Sequence, residues 1–220
     1  MPLTPPARGR FITLEGGEGV GKSTQLAALA TALRARGINV VETREPGGSD
    51  GAEAIRELLL HQAADAWSPR AEALLFAAAR SDHLARTILP ALERGDWVLC
   101  DRFLDSSRAY QGGSAGLSDD DVMTLHRIGS NGILPDRTLL LMVDRGEADA
   151  RRRSRQAGQG ATGAARPDRF EDRQAAFHDG VASAFARMAQ ADPARFRQVD
   201  AQGAAGDITA RLIDALADWL

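Results

Sequence analysis

Residues 16–24 read GGEGVGKST, and the reading of this stretch decides the fold. Gly16, Gly21, Lys22 and Ser23 fall on the fixed places of the phosphate-cradling pattern G-x-x-x-x-G-K-[ST], with Gly17, Glu18, Gly19 and Val20 between them and Thr24 following. Upstream, residues 11–14 (FITL) form a β-prone apolar segment. Downstream, residues 25–36 carry Leu26, Leu29, Ala30 and Leu33 at helical spacing. Strand, glycine loop and helix are the context the pattern needs. Glycines let the backbone curl until successive N–H groups and the helix N-terminus converge on an anion, Lys22 reaches the outer phosphates, and the Ser23 hydroxyl can ligate Mg²⁺.

Composition singles out Lys22. The chain has 27 Lys plus Arg residues, and Lys22 is the one lysine among them. A compact three-donor ammonium and a planar guanidinium are not interchangeable between phosphates, although either serves at most surface sites. The 220 residues, 44% hydrophobic and 26% charged, predict one domain spanning 1–220. A net charge of -3 argues against a nucleic-acid partner. Cys100 is the one cysteine, which excludes an intrachain disulfide and suits a reducing compartment. Residues 1–10 hold three prolines and no apolar leader core, and no later segment has the length of a membrane span, so the expectation is a cytoplasmic protein without membrane attachment.

Outward from the loop, strands and helices alternate, as in a parallel α/β sheet that binds ligands beyond the carboxyl ends of its strands. Gly37 closes the first helix, and residues 38–43 (INVVET) form a strand ending at Arg44. A helix over 52–61 follows. Ser68 and Pro69 then open a long helix to about residue 94, carrying Phe76 and Arg80 one turn apart. Residues 97–101 (WVLCD) form an apolar strand ending in Asp101, which in phosphate-loop proteins helps hold Mg²⁺. Residues 108–117 read as a glycine-containing loop, Ser118 caps a helix to about 131, and 135–143 give a fourth strand. An arginine-rich short helix at 151–155 leads into 156–165, a Gly/Ala stretch of mobile-connection composition, and together they read as a lid over about 151–170. A helix over 170–191, a strand over 196–199 and an amphipathic helix over 208–220 complete the chain. The four histidines show no metal-ligand spacing.

FITLEGGEGVGKST, the REPGG at 44–48, FAAAR at 76–80, DRF at 101–103 and SSRAYQGG at 106–113 together resemble the thymidylate kinase family, over nearly the whole chain. The resemblance implies a phosphate-loop NTPase fold with a five-stranded parallel sheet flanked by helices and a short arginine-rich lid. It implies phosphorylation of dTMP to dTDP with ATP and Mg²⁺, for dTTP synthesis, usually by a homodimer. Carried over by position, it places dTMP against Glu15, Arg44, Arg56, Phe76, Arg80, Arg102, Ser107, Tyr110 and Gln111. Glu15 corresponds to the carboxylate meeting the sugar 3′-hydroxyl, and Arg44, Arg80 and Arg102 to the acceptor-phosphate and site-closing arginines. Phe76 corresponds to the ring under thymine. Arg56 and Ser107 correspond to base-edge readers with Gln111 beside them, and Tyr110, the one tyrosine, to the side chain crowding the 2′ position. Residues 16–24 and Arg151 would hold ATP, Ser23 and Asp101 the metal. Departures from the family pattern are Ala115, the Ser107-Arg108 pair, Met142 and a longer lid.

Phosphoryl transfer has a loose transition state, so catalysis is alignment and charge stabilisation. Lys22, Asp101 and Arg102 are expected in that role, with Arg153 of the lid as the mobile arginine, flanked by Arg151 and Arg155. The competing readings are another phosphate-loop deoxynucleoside or nucleoside monophosphate kinase, and a non-catalytic ATP-binding regulatory protein.

Overall fold

A computed structural model of the chain describes residues 8–60, 66–112, 116–144, 146–147 and 175–220. Five parallel strands, β1 (Phe11–Glu15), β2 (Val40–Arg44), β3 (Trp97–Asp101), β4 (Arg137–Met142) and β5 (Phe196–Asp200), lie in the order β2-β3-β1-β4-β5. The first strand is therefore central, and the loop that leaves it emerges in the middle of the sheet's carboxyl edge. Residues 11–14 can be apolar without alternation because both faces of a parallel sheet are covered. Ile12 and Leu14 face one core with Leu99, Leu139 and Leu141. Phe11 faces the other with Val98 and Cys100.

Helices α1 (Lys22–Arg34) and α8 (Ala205–Asp214) cover the first face, burying Leu29, Leu33, Ile208 and Leu212. The opposite face is covered by α3 (Pro69–His83), α4 (Leu89–Glu93), α5 (Leu104–Ser107), α6 (Asp119–Ser130) and, toward β5, α7 (Ala175–Ala191), while α2 (Asp50–Leu60) packs on α3. Gly37 takes φ 80°, which turns the chain out of α1 as expected. Ser118 caps α6 in a full capping box with Asp121. Among the described residues no helix is long and apolar enough to cross a membrane.

Three expectations need correcting. The long helix over 69–94 is interrupted by a π-helical segment, Leu84–Ile88. Pro90 explains it, since its ring clashes with the carbonyl four residues back and it has no N–H to give. Residues 108–112 are not loop: Arg108–Gly112 is a π-helical turn continuing α5, with Ala109, Tyr110 and Gln111 buried. The last helix ends at Asp214, and Ala217–Trp219 forms a separate 3₁₀ turn whose Trp219 ring lies under Arg137 at 3.9 Å. The Arg151, Arg153 and Arg155 positions, residues 156–170 and Ala115 lie outside the described residues.

Candidate active site

The loop between β1 and α1 bends at Gly16 (φ 137°), Gly19 (φ 77°) and Gly21 (φ 94°), conformations that a Cβ disfavours. Gly16 is also sterically required, because a Cβ there would stand 2.6 Å from the Leu141 carbonyl oxygen. Lys22, the first residue of α1, is buried and folds back over the loop, its Nζ donating to the Gly17 carbonyl at 2.7 Å and the Gly16 carbonyl at 3.2 Å. Burial, and then the Arg102 guanidinium nearby, bring its pKa down to about 8. Thr24 is exposed beside it.

Asp101 ends β3, in register with Leu14 of β1 and Arg44 of β2. Its Oδ2 accepts from the Ser23 hydroxyl at 2.8 Å. Two strands and a helix thus bring together a hydroxyl and a carboxylate, hard oxygen donors of the kind Mg²⁺ takes when phosphates complete its shell. Among the described residues no cluster of three or more His, Cys, Asp or Glu could hold a metal alone. The pair fits a metal shared with a substrate rather than a closed protein site.

Arg102 sits next in the chain at φ 68°, left-handed for a residue with a Cβ, a strain of about 1–3 kcal/mol that its bonds hold in place. Its N–H bonds the Leu14 carbonyl at 3.0 Å. The guanidinium donates to Glu18 Oε1 at 2.6 Å, to the Gly16 carbonyl at 3.2 Å, to Ser106 Oγ at 3.0 Å and to Tyr110 OH at 3.3 Å. Tyr110 in turn donates to Glu18 Oε1 at 2.9 Å. Burial alone would raise the Glu18 carboxyl, but Arg102 and Lys22 outweigh it and hold the group at about 2. Burial, further reinforced by Glu18, pushes the Tyr110 phenol up.

Glu15 is the main correction at residue level. It is wholly buried, its Oε1 accepting from the Phe103 N–H at 2.8 Å and its Oε2 from the Ser106 hydroxyl at 2.6 Å. Burial, and then Asp105, push it up to about 8. It holds the turn after β3 and has no exposed surface. The carboxylate with solvent access is Glu18, whose side chain is 14% exposed between Arg102 and Tyr110.

A second group lies beside the first. Arg80 is buried, donating from Nε to Glu45 Oε2 and from Nη2 to Ser107 Oγ, both at 2.8 Å, with its guanidinium 5.1 Å from the Phe103 ring centre. Phe76, half-buried, packs on the cluster that contains Tyr110 and Ala109. Gln111 is buried and donates to Glu72 Oε1 at 3.0 Å. Arg56 donates to the Pro46 carbonyl at 2.6 Å. Arg44 is less engaged, half-exposed at the end of β2 and paired with Glu53 at 3.0 Å. Cys100 is buried as a small apolar residue, its thiol pushed up by burial, then by Glu45 and Asp101.

Sequence reasoning missed Glu45, His83, Glu72 and Asp105, all buried and polar. Glu45 stood inside the quoted REPGG; the others carried no local signal. Asp105 accepts two bonds from Arg195, at 2.6 and 3.1 Å, and one from Thr138 at 3.1 Å, joining α5 to the β5 edge.

A phosphate loop, an adjoining hydroxyl–carboxylate pair and a cluster of arginines with an aromatic ring suit a site where two anionic substrates meet. Comparison with known proteins gives the same direction. The thymidylate kinase family model matches residues 14–211. The thymidylate kinase of Rhizorhabdus wittichii is 67% identical over 212 residues, covering 96% of this chain and 99% of that protein. That of Bradyrhizobium sp. (strain ORS 278) is 46% identical, covering 98% and 92%. A crystal structure of thymidylate kinase from Ehrlichia chaffeensis superposes with a TM-score of 0.73 at 29% identity, covering 96% of this chain and 99% of that one. Full-length identity and shared architecture leave one conclusion: this chain belongs to the thymidylate kinase family.

Proposed function

We infer that the chain phosphorylates dTMP to dTDP, transferring the γ-phosphoryl group of ATP as the family does, and supplies the precursor of dTTP. The observation that carries this reading is the junction at Glu18. Arg102 and Tyr110, from the acceptor-side stretch, both bond a carboxylate of the phosphate loop, so donor and acceptor half-sites share one wall. That arrangement aligns two polyanions, which is most of what the reaction requires.

The roles follow from position. The N–H groups of residues 16–24 and the α1 N-terminus cradle the ATP phosphates, and Lys22 exchanges its loop carbonyls for phosphate oxygens. Ser23 and Asp101 would hold Mg²⁺, which would offset phosphate charge when bound. Arg102 turns from Glu18 toward the acceptor phosphate, and Glu18, so released, accepts from a sugar hydroxyl. Phe76 lies under the base, with Arg80, Ser107, Gln111 and Arg56 toward its edge, and Arg44 at the rim. The lid supplies Arg153 with Arg151 and Arg155 beside it. The chain acts as one domain, in the cytoplasm. It pairs as a homodimer through α3 and α6, which pack together and carry the exposed Leu74 (56%) and Ile128 (77%); sedimentation at micromolar concentration showing a monomer would refute this.

A coupled assay with ATP, Mg²⁺ and each deoxynucleoside monophosphate tests the function. Expected are weak discrimination against dUMP, since one methyl is worth only about 1–3 kcal/mol, and strong rejection of cytosine and purine acceptors. Purine turnover near that of dTMP would overturn the reading. In the same assay Arg153→Ala slows turnover by about 10³-fold or more, and an unchanged rate would remove Arg153 from the mechanism.

A further inference from the structure

Behind Arg80 runs a chain of buried polar contacts that the chemistry above does not use. Glu45, the second residue of the REPGG stretch, gives Oε2 to Arg80 Nε at 2.8 Å and Oε1 to His83 Nδ1 at 3.0 Å. His83 Nε2 meets Thr43 Oγ1 at 2.7 Å. The Glu45 N–H bonds the Asp101 carbonyl at 2.9 Å, tying the chain to the end of β3. His83 is 0% exposed, and the Arg80 and Glu45 side chains are 3% and 4% exposed. A carboxylate only accepts, so His83 Nδ1 donates to Glu45, and the far side of the ring, Nε2, meets the Thr43 hydroxyl. Gly48 closes over the ring so tightly that a Cβ would stand 2.4 Å from both His83 Nε2 and Thr43 Oγ1.

We propose that His83 and Glu45 are positioning residues for dTMP recognition, fixing the plane of the Arg80 guanidinium before substrate arrives. Two anchored donors, Nε on Glu45 and Nη2 on Ser107, determine the plane of a rigid fork, and the Phe103 ring limits its tilt. Glu45 holds that plane only if its own carboxylate cannot rotate, and His83 occupies the oxygen that would otherwise be free to swing. A buried charge pair of this kind is a costly way to gain stability and a good way to specify one geometry. The inference rests on the placement of Arg80 on the dTMP side.

Two substitutions at His83 separate its nitrogens. In His83→Asn the amide nitrogen overlays Nδ1 and keeps the bond to Glu45; in His83→Gln the amide group reaches the Nε2 position, keeps a hydrogen bond with the Thr43 hydroxyl and loses Glu45. H83Q is expected to raise KM for dTMP by about 10- to 100-fold, the usual scale for losing an orienting partner, with KM for ATP unmoved. H83N should stay near the parent value. Thr43→Val, a milder change that removes only the hydroxyl behind the ring, should raise KM for dTMP about 2- to 10-fold, and no rise would break the chain at that link. Equal behaviour of H83N and H83Q, or parallel rises in both Michaelis constants, would mean a merely structural role and overturn the proposal. Arg80→Ala is the control: if it raises KM for dTMP and H83Q does not, positioning alone fails. If Arg80→Ala leaves KM for dTMP unchanged, the acceptor-side placement of Arg80 fails, and the inference with it.

Discussion

At the scale of single residues, burial sets the chemistry of the charged groups around the phosphate loop. Lys22, brought down to about 8 by burial and by Arg102, loses its proton in the free enzyme as pH rises through that value. kcat/KM for ATP should therefore fall above about pH 8, whereas bound phosphates raise the lysine and carry the corresponding limb of kcat to higher pH. Lys22→Arg stays charged and loses that limb, but the bulkier fork cannot fold between the Gly16 and Gly17 carbonyls, so turnover should drop about 100-fold or more. Near-normal turnover of the variant would contradict this account. Glu15 behaves oppositely. Its usual value is 4.5 and its folded-state value about 8, so across that window the native state keeps a proton that the unfolded chain releases. The stability it contributes is full below about 4.5 and is lost as pH rises toward 8. Urea unfolding at pH 5 and pH 8 should show a decline on the order of a few kcal/mol from this group, flattened in Glu15→Gln.

At the scale of elements, the periodic segments and their caps were legible, and the irregular ones were not. Ser118 shows why caps can be read: its hydroxyl and Asp121 satisfy the first N–H groups of α6 through neighbours three residues apart. Ser118→Ala should lower unfolding stability by about 1 kcal/mol while leaving both Michaelis constants unchanged; altered kinetics would mean that α6 is coupled to the site. The turn at Arg108–Gly112 shows the opposite case. Its glycines suggest a loop, but burial of Ala109 and Tyr110 against Val181 and Phe185 of α7 winds it into a π-helical turn. That partner is some seventy residues away in sequence, so no local pattern could report it. Pro90 was visible, yet its consequence, the π-helical segment at Leu84–Ile88, depended on the chain continuing along the core instead of ending its helix there.

At the scale of the whole molecule, one buried pair joins α5 to the start of β5. Asp105 on α5 and Arg195 before β5 form two hydrogen bonds, with Thr138 of β4 donating to Asp105 and accepting from Arg195. Asp105 also lies beside Glu15 and contributes to raising it, so the pair links fold stability to the floor of the site. Asp105→Ala would leave Arg195 buried without its main partner and should cost about 3–5 kcal/mol in urea unfolding. A loss below about 1 kcal/mol would mean that Asp192, which already bonds Arg195, suffices.

The amino-acid sequence by itself determined the order of strands and helices, the glycine loop and its lysine, and the Ser23 and Asp101 pair. These depend on spacing along the chain, and the backbone geometry of a strand–loop–helix unit follows from that spacing. Which carboxylate faces the cleft was a tertiary decision. Glu15 and Glu18 are three residues apart and chemically alike, but one is sealed under the Phe103 turn while the other reaches Arg102 and Tyr110. The same holds for His83, in the sequence only one of four histidines without metal-ligand spacing, which gains a partner when β2 and α3 close on it. Burial and hydrogen-bond partners come from residues distant along the chain, and only the packed sheet brings them together.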